Sequence, residues 1–233
     1  MDYINPNLDL AQIESTLRGK GRVLIRDFFE PGVAQALAEA VDGIDWTLTY
    51  KDVEGVRRLT GEQLRSLSPQ QRMQLTEGIT HVARHEFQFS YFTSSLAESV
   101  QRGDTDLLSR CMRWMGDETF MQLMRRLSGI DDIARIYAQA TMYSRGNFLV
   151  AHDDHVDSEG RRLAYVINLT RHWRPDWGGV LHFSGPDGDV EDSFFPHFNS
   201  MALFTVPQTH YVSYVAPFAM AERTAITGWL IAP

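Results

Sequence analysis

Apolar residues recur at two spacings along this chain, helical up to about residue 132 and alternating beyond it. Near the start, 22–29 (RVLIRDFF) is a short β-like run. Pro31 then opens a predicted helix over 31–41, with Val33, Leu37 and Val41 four apart. The stretch 59–83 is polar with apolar residues at helical spacing, and Pro69 restarts the helix within it. The clearest amphipathic stretch is 104–127, carrying Leu107, Leu108, Cys111, Met112, Met115, Phe120, Leu123, Met124 and Leu127. It reads as a helix packing on a sheet, although its methionines would also suit an adaptable binding surface. From Ile133 the period is two, and strands are predicted over 134–143, 148–154, 162–169, 180–184, 200–206, 210–215 and 224–231. Gly, Pro, Asp and Asn punctuate them, at Gly146-Asn147, Pro175 to Gly179 and Gly185 to Gly188. Short strands after a helical lead-in predict a β-sandwich or barrel with helices against one face.

Composition narrows the class. The 233 residues suit one large domain, or one domain with an extension. A content of 43% hydrophobic and 22% charged residues is that of a soluble globular protein. Acids outnumber bases 30 to 22, for a net charge of -8, which argues against a surface built to hold nucleic acid. The single cysteine, Cys111, excludes a disulfide framework and a cysteine zinc cage, and points to a reducing, cytoplasmic compartment. The first ten residues lack the basic start and apolar run of a signal peptide, and no run approaches the length of a membrane span. There is no repeat, and no break in composition marks a linker. Asn168-Leu169-Thr170 matches a glycosylation sequon, taken as chance inside a predicted strand.

Histidine is the unusual count, at 8, with 5 of them between His152 and His197. In Ala151-His152-Asp153-Asp154-His155, residues two apart on a strand face one side. His152 and Asp154 would then point together and could chelate one metal ion. His210 follows 56 residues after Asp154, at the start of another strand, and Arg223 comes 13 residues later. Two imidazoles and one carboxylate form a facial triad that leaves one side of an octahedral metal open, as in non-haem Fe(II) oxygenases. A buried guanidinium beside it suits bidentate capture of a carboxylate.

The ordered series His-x-Asp, His, Arg resembles that of the 2-oxoglutarate/Fe(II)-dependent dioxygenase superfamily. Flanking residues extend the likeness over 140–229: Tyr143, Gly146, Gly160 to Arg162, Asn168, Trp173, Trp177 to Leu181, Phe195-Pro196, Leu203-Phe204, Val212, Val215 and Trp229. The series is most similar to the prolyl hydroxylase-like branch, both the ribosomal-protein and the oxygen-sensing enzymes. The resemblance implies a double-stranded β-helix (jelly-roll, cupin-like) core: mainly β with flanking helices, behind a helical N-terminal half. The chain is then one domain, 1–233, with 1–132 as helical scaffold and lid and 133–233 as the jelly-roll core with the metal site.

It also implies His152, Asp154 and His210 as iron ligands, and Arg223 as the partner of the far carboxylate of 2-oxoglutarate. The cofactors are Fe(II), 2-oxoglutarate and O2, with ascorbate in a supporting role. Tyr143, nine residues before His152, sits where this branch often has a tyrosine touching the co-substrate. Two residues after the arginine, many relatives have Ser or Thr; here it is Ala225, as in the oxygen-sensing enzymes. On the strand after His-x-Asp, where those enzymes place a co-substrate tyrosine, the register falls on Asn168, with Tyr165 three residues earlier. Either could support the carboxylate. The implied reaction is hydroxylation of an unactivated C–H bond, with a prolyl residue of a protein or peptide as lead substrate. A small molecule, either a free amino acid or a biosynthetic intermediate, is the alternative substrate. A non-catalytic iron- or 2-oxoglutarate-binding module is the reading from a different class. No nucleic-acid or membrane partner is expected: nucleic-acid demethylases typically carry a second arginine six residues after the first, where this chain has Trp229.

Other candidates read as structural. His155-x-Asp157 lies on the opposite strand parity, nearer a loop. His172, His182 and His197 read as surface or core histidines, and His81 and His85 lack metal spacing. Trp173 and Trp177 read as packing that caps the barrel, and Trp229 as facing the core. Arg161-Arg162 fits either a substrate-facing basic pair or a solvated strand start. Trp46, Tyr50, Phe87, Phe89, Tyr91 and Phe92 fit either core or an aromatic grip on an extended peptide.

Overall fold

The computed structural model describes residues 3–233. Its first part runs through α1 (Leu10–Lys20), β1 (Arg22–Ile25), α2 (Pro31–Asp42), β2 (Thr47–Asp52), β3 (Gly55–Thr60), α3 (Gly61–Ser66), α4 (Pro69–Ala83), β4 (Phe89–Ser95), α5 (Leu96–Gln101), α6 (Leu107–Met115) and α7 (Glu118–Ser128). The second part is β5 (Arg135–Tyr143), β6 (Phe148–His152), β7 (Arg161–Asn168), β8 (Leu181–Ser184), β9 (Val190–Phe194), β10 (Ser200–Thr205), β11 (His210–Val212) and β12 (Arg223–Ile231).

Local chemistry explains the helix boundaries. Thr60 and Ser68 each form a reciprocal capping box, with Gln63 and Gln71, and so satisfy backbone N–H groups that a helix start leaves unpaired. Pro69 does restart a helix, at α4. The amphipathic stretch is two helices rather than one. Gly116 ends α6 and Asp117, in extended conformation, opens α7, because glycine is a poor helix residue and aspartate a good start. α1 carries too few apolar residues to be announced by periodicity: of its 11 residues only Ile13 and Leu17 are buried.

The strands build one antiparallel sheet, ordered β1-β10-β7-β12-β5-β4-β6-β11-β8-β9, with β2 paired to both β3 and β4. Arg22 on β1 reaches Asp192 and Glu191 on β9, each at 2.7 Å. That contact draws the two sheet edges together, and the sheet curls into a nearly closed, jelly-roll-like barrel. The first half carries the expected helices, α1 to α7, and also adds strands, since β1 to β4 belong to this same sheet and β4 sits between β5 and β6. The boundary at 132 therefore separates no independent sheet. β1 falls within the β-like run at 22–29, but β2 to β4 escape a periodicity reading because they are largely half-buried; β3 alternates intermediate and exposed positions with none buried.

Alternation along β7 and β10 divides the interior into two cores. Leu163, Tyr165, Ile167, Met201 and Leu203 face the helices, where they meet Leu17, Leu37, Met115, Met124 and Leu127. Ala164, Ala202 and Phe204 face the barrel interior with Phe183, Val212 and Trp177. Burying each large apolar side chain contributes roughly 1.5–3 kcal/mol, which makes the helix-side core the anchor of the barrel wall. The methionines of α6 and α7 are spent there, not on an exposed surface.

Candidate active site

His152 ends β6 and His210 begins β11, and the two are direct cross-strand partners. Their rings lie 4.1 Å apart by centroid. Asp154 reaches them by a route that alternation does not predict. It lies beyond the end of β6, in the left-handed region at φ 62, so a turn rather than strand parity aims its carboxylate. Its Oδ1 is 3.3 Å from His152 Nε2 and its Oδ2 is 3.5 Å from His210 Nε2. The two Nδ1 atoms lie 3.0 Å from the Val150 carbonyl and 2.8 Å from the Gln208 carbonyl. Each Nδ1 donates there, which leaves each Nε2 lone pair available to a cation held together with Asp154. One donor atom from each residue falls within 4.8 Å of the others, so the three could hold one metal ion.

The electrostatics suit a cation. Burial, with His152 adding to it, pushes the His210 imidazole down to about 4, so it is neutral at physiological pH. Burial would raise the Asp154 carboxyl, but the adjacent imidazoles outweigh it and hold the group below its ordinary value. Neutral imidazole and ionised carboxylate together are the donor chemistry of a facial-triad divalent site.

Arg223, the first residue of β12, faces the same cavity opposite Tyr143. It is 3% exposed. Its Nη2 donates to Asn168 Oδ1 at 3.3 Å, while Nε and Nη1 have no partner among the described residues. The guanidinium lies 5.3 Å from the centroid of the Tyr143 ring. Tyr143 in turn stacks on Tyr91 with centroids 5.1 Å apart. Burial pulls the Arg223 guanidinium below its usual range and drives the Tyr143 hydroxyl far above its own. A buried cation with orphaned donors is costly until an anion meets it. The cavity of 470 Å³ supplies the room.

The sequence candidates divide on inspection. Asn168 is buried and bonded to Arg223, so it supports the guanidinium. Tyr165 borders the cavity but makes no hydrogen bond to Arg223. Its parity on β7 sends the ring into the helix-side core, and its hydroxyl donates to the Tyr137 carbonyl at 2.9 Å. Trp229 packs against the barrel-side core, as expected, and also lines the cavity, with its buried Nε1 lacking a hydrogen-bond partner among the described residues. The Arg161-Arg162 pair splits by strand parity. Arg162 bonds Asp132 at the surface, while Arg161 stands in the cavity. Arg161 lies 3.5 Å from Asp154 Oδ1, 2.7 Å from Glu159 Oε2 and 3.8 Å over the Trp229 ring. Of the six aromatics left open, Phe87, Phe89 and Tyr91 line the cavity; Trp46, Tyr50 and Phe92 do not.

His155 and Asp157 form an exposed pair at 2.8 Å, outside the triad. His182 bonds Ser193 and stacks on Tyr211, and His197 meets Arg26 at 2.7 Å. Gln139, Thr141 and Thr227 also line the cavity and carry no motif signal. Only parity with Tyr143 and Arg223 on β5 and β12 marks them.

Residues 138–231 match the 2OG-Fe(II) oxygenase superfamily. Over that segment the chain is similar to this superfamily, and the similar proteins include prolyl hydroxylases. It is 31% identical over 123 residues to the prolyl 3-hydroxylase OGFOD1 of Mus musculus, an alignment spanning 50% of this chain and 22% of that protein. The chain therefore spans less than a quarter of the length of that relative. In fold it resembles a Pseudomonas putida prolyl-4-hydroxylase, with a TM-score of 0.64 at 16% identity over 96% of this chain and 99% of that one. A Trichoplax adhaerens prolyl hydroxylase, solved with a hypoxia inducible factor peptide fragment, gives 0.57 at 17% identity over 96% and 89%.

Proposed function

We propose that this protein is a 2-oxoglutarate- and Fe(II)-dependent dioxygenase that hydroxylates a prolyl residue of a protein or peptide. The observation that carries the reading is the unpaired, buried Arg223 guanidinium in the same cavity as His152, Asp154 and His210. A dicarboxylate that reaches from the triad to Arg223 would satisfy both ends. Iron bound there with 2-oxoglutarate and O2 supplies hydroxylation of an unactivated C–H bond, with succinate and CO2 as co-products.

Each residue has a distinct task. His152 and His210 offer Nε2, fixed in orientation by their Nδ1 bonds to backbone carbonyls, and Asp154 offers its carboxylate. Arg223 binds the far carboxylate of the co-substrate, with Asn168 holding one of its nitrogens. Tyr143 and Tyr91 form a dry aromatic wall beside it, where a charge–charge contact is stronger than in water. Phe87, 42% exposed and 5.4 Å from His152, stands where it can meet an incoming substrate. The prolyl substrate is supported by the similarity to prolyl hydroxylases. No helix is long and apolar enough to cross a membrane. The single buried thiol of Cys111, pushed up to about 12 by burial, fits a reducing cytoplasmic compartment.

The test is turnover of labelled 2-oxoglutarate by the purified chain with Fe(II) and ascorbate, with and without proline-containing peptides. Succinate should form with the wild type and not with Asp154→Ala, and a peptide substrate should gain 16 Da. Binding of 2-oxoglutarate without any turnover would favour a sensing module over an enzyme.

A further inference from the structure

We infer that Ser200 is a positioning residue for Arg223, acting through the Asn168 amide; this rests on Arg223 being the co-substrate's carboxylate partner. Ser200 opens β10 and pairs directly with Asn168 at the end of β7, which in turn pairs with Ala225 on β12. The Ser200 hydroxyl donates to the His197 carbonyl at 2.7 Å. Its one proton is committed there, so toward Asn168 it can only accept. Asn168 Nδ2 accordingly donates to it at 3.1 Å. That leaves Asn168 Oδ1 facing Arg223 Nη2, at 3.3 Å.

A flipped amide would set an NH2 group against the guanidinium, donor against donor, and would leave the serine lone pair unused. Exposures of 0% for Ser200, 2% for Asn168 and 3% for Arg223 leave no room for water to repair such a mismatch. The chain from His197 through Ser200 and Asn168 thus ties Nη2 and leaves Nε and Nη1 without partners among the described residues. The arginine stem is confined as well. Gly179, at φ 62, sits so close that a Cβ there would lie 3.6 Å from Arg223 Cδ and 3.2 Å from Trp173 Cζ2. A guanidinium held at its stem and at one nitrogen is pre-organised for a carboxylate, which lowers the cost of ordering it on binding.

The full chain loaded with Mn(II), titrated with 2-oxoglutarate by calorimetry under anaerobic conditions, tests this, with melting of the metal-free protein as a second readout. Ser200→Ala should raise the 2-oxoglutarate Kd about tenfold, the size of one buried hydrogen bond, with Mn(II) affinity unchanged. Asn168→Asp gives Arg223 a permanent carboxylate partner. It should weaken 2-oxoglutarate about a hundredfold while raising the melting temperature of the metal-free protein. Adding Ser200→Ala to Asn168→Asp should cost no further 2-oxoglutarate affinity, because aspartate has no amide to orient. A purely structural role would instead lower stability and affinity together in every variant. Wild-type affinity in Ser200→Ala, alongside loss of binding in Arg223→Ala, would overturn the role of Ser200 and leave Arg223 in place. Equal affinity in wild type and Arg223→Ala would overturn both.

Discussion

At one end of the cavity Arg223 is 3% exposed and keeps two nitrogens without partners among the described residues. Beside Asp154, the Arg161 side chain is 14% exposed and its guanidinium is fully engaged, by Asp154, Glu159 and the face of Trp229. Both are cations in one cavity, but their chemistry differs. An unpaired buried charge carries a desolvation cost that only an incoming anion relieves, so it defines a ligand site. A paired charge has already spent its interactions, so it orients its partner instead. Arg161 contacts the Asp154 carboxylate, while Arg223 has no carboxylate partner among the described residues, as its proposed role of binding the co-substrate's carboxylate requires.

Substitutions can break this contrast in order of size. Asp154→Ala removes the only carboxylate of the triad. Metal affinity should fall by more than the ~10–100-fold that loss of an outer partner costs, and succinate formation should stop. Metal titration and the turnover assay read both. Arg223→Ala should leave metal bound but weaken 2-oxoglutarate by about 2–5 kcal/mol, read by calorimetry. Unchanged co-substrate affinity would remove Arg223 from the site. Arg161→Ala should cost ~10-fold in metal affinity, through a less constrained Asp154, with a smaller effect on 2-oxoglutarate.

The aromatic wall adds a pH test. Burial raises the Tyr91 hydroxyl to about 12, against 10.0 for the free group. A phenol kept neutral in the folded state stabilises it fully below pH 10.0, and that share is lost as pH rises through about 12. Melting temperature should therefore fall over that window, and Tyr91→Phe should flatten the fall. The smallest effect belongs to Arg162→Ala. Its bond to Asp132 lies at the surface, so metal affinity, co-substrate affinity and melting should all stay at wild-type values. A loss comparable to that of Arg161→Ala would erase the distinction between these adjacent residues.

Much of the site is legible because its chemistry needs particular residue types in a fixed order. His152, Asp154, His210 and Arg223 stand out as polar groups in apolar, alternating sequence, and the structure brings all four to one cavity. The alternation that pairs His152 with Asp154 nevertheless does not extend to Asp154, which lies beyond β6. Strand parity does not aim Asp154; a left-handed turn after β6 does, and no local pattern announces that conformation for an aspartate. Tyr165 and Asn168 show the opposite case. Strand parity on β7 separates them, one into the helix-side core and one toward Arg223, and that parity becomes readable only once the strand's start is known.

By itself, then, the order of residues determined the change of period near 133, the strands of the second half except β9 (Val190–Phe194), and the candidate metal and carboxylate partners. Those follow from alternation and from the donor types that a metal ion and a carboxylate require. Tertiary structure alone decided that β4 enters the middle of the sheet, that Arg22 draws β1 to β9, and that Arg161 rather than Arg162 meets Asp154. It also decided which way the Asn168 amide points. These outcomes depend on pairings between residues far apart in the chain, and on which donors and acceptors remain unsatisfied after the sheet has closed.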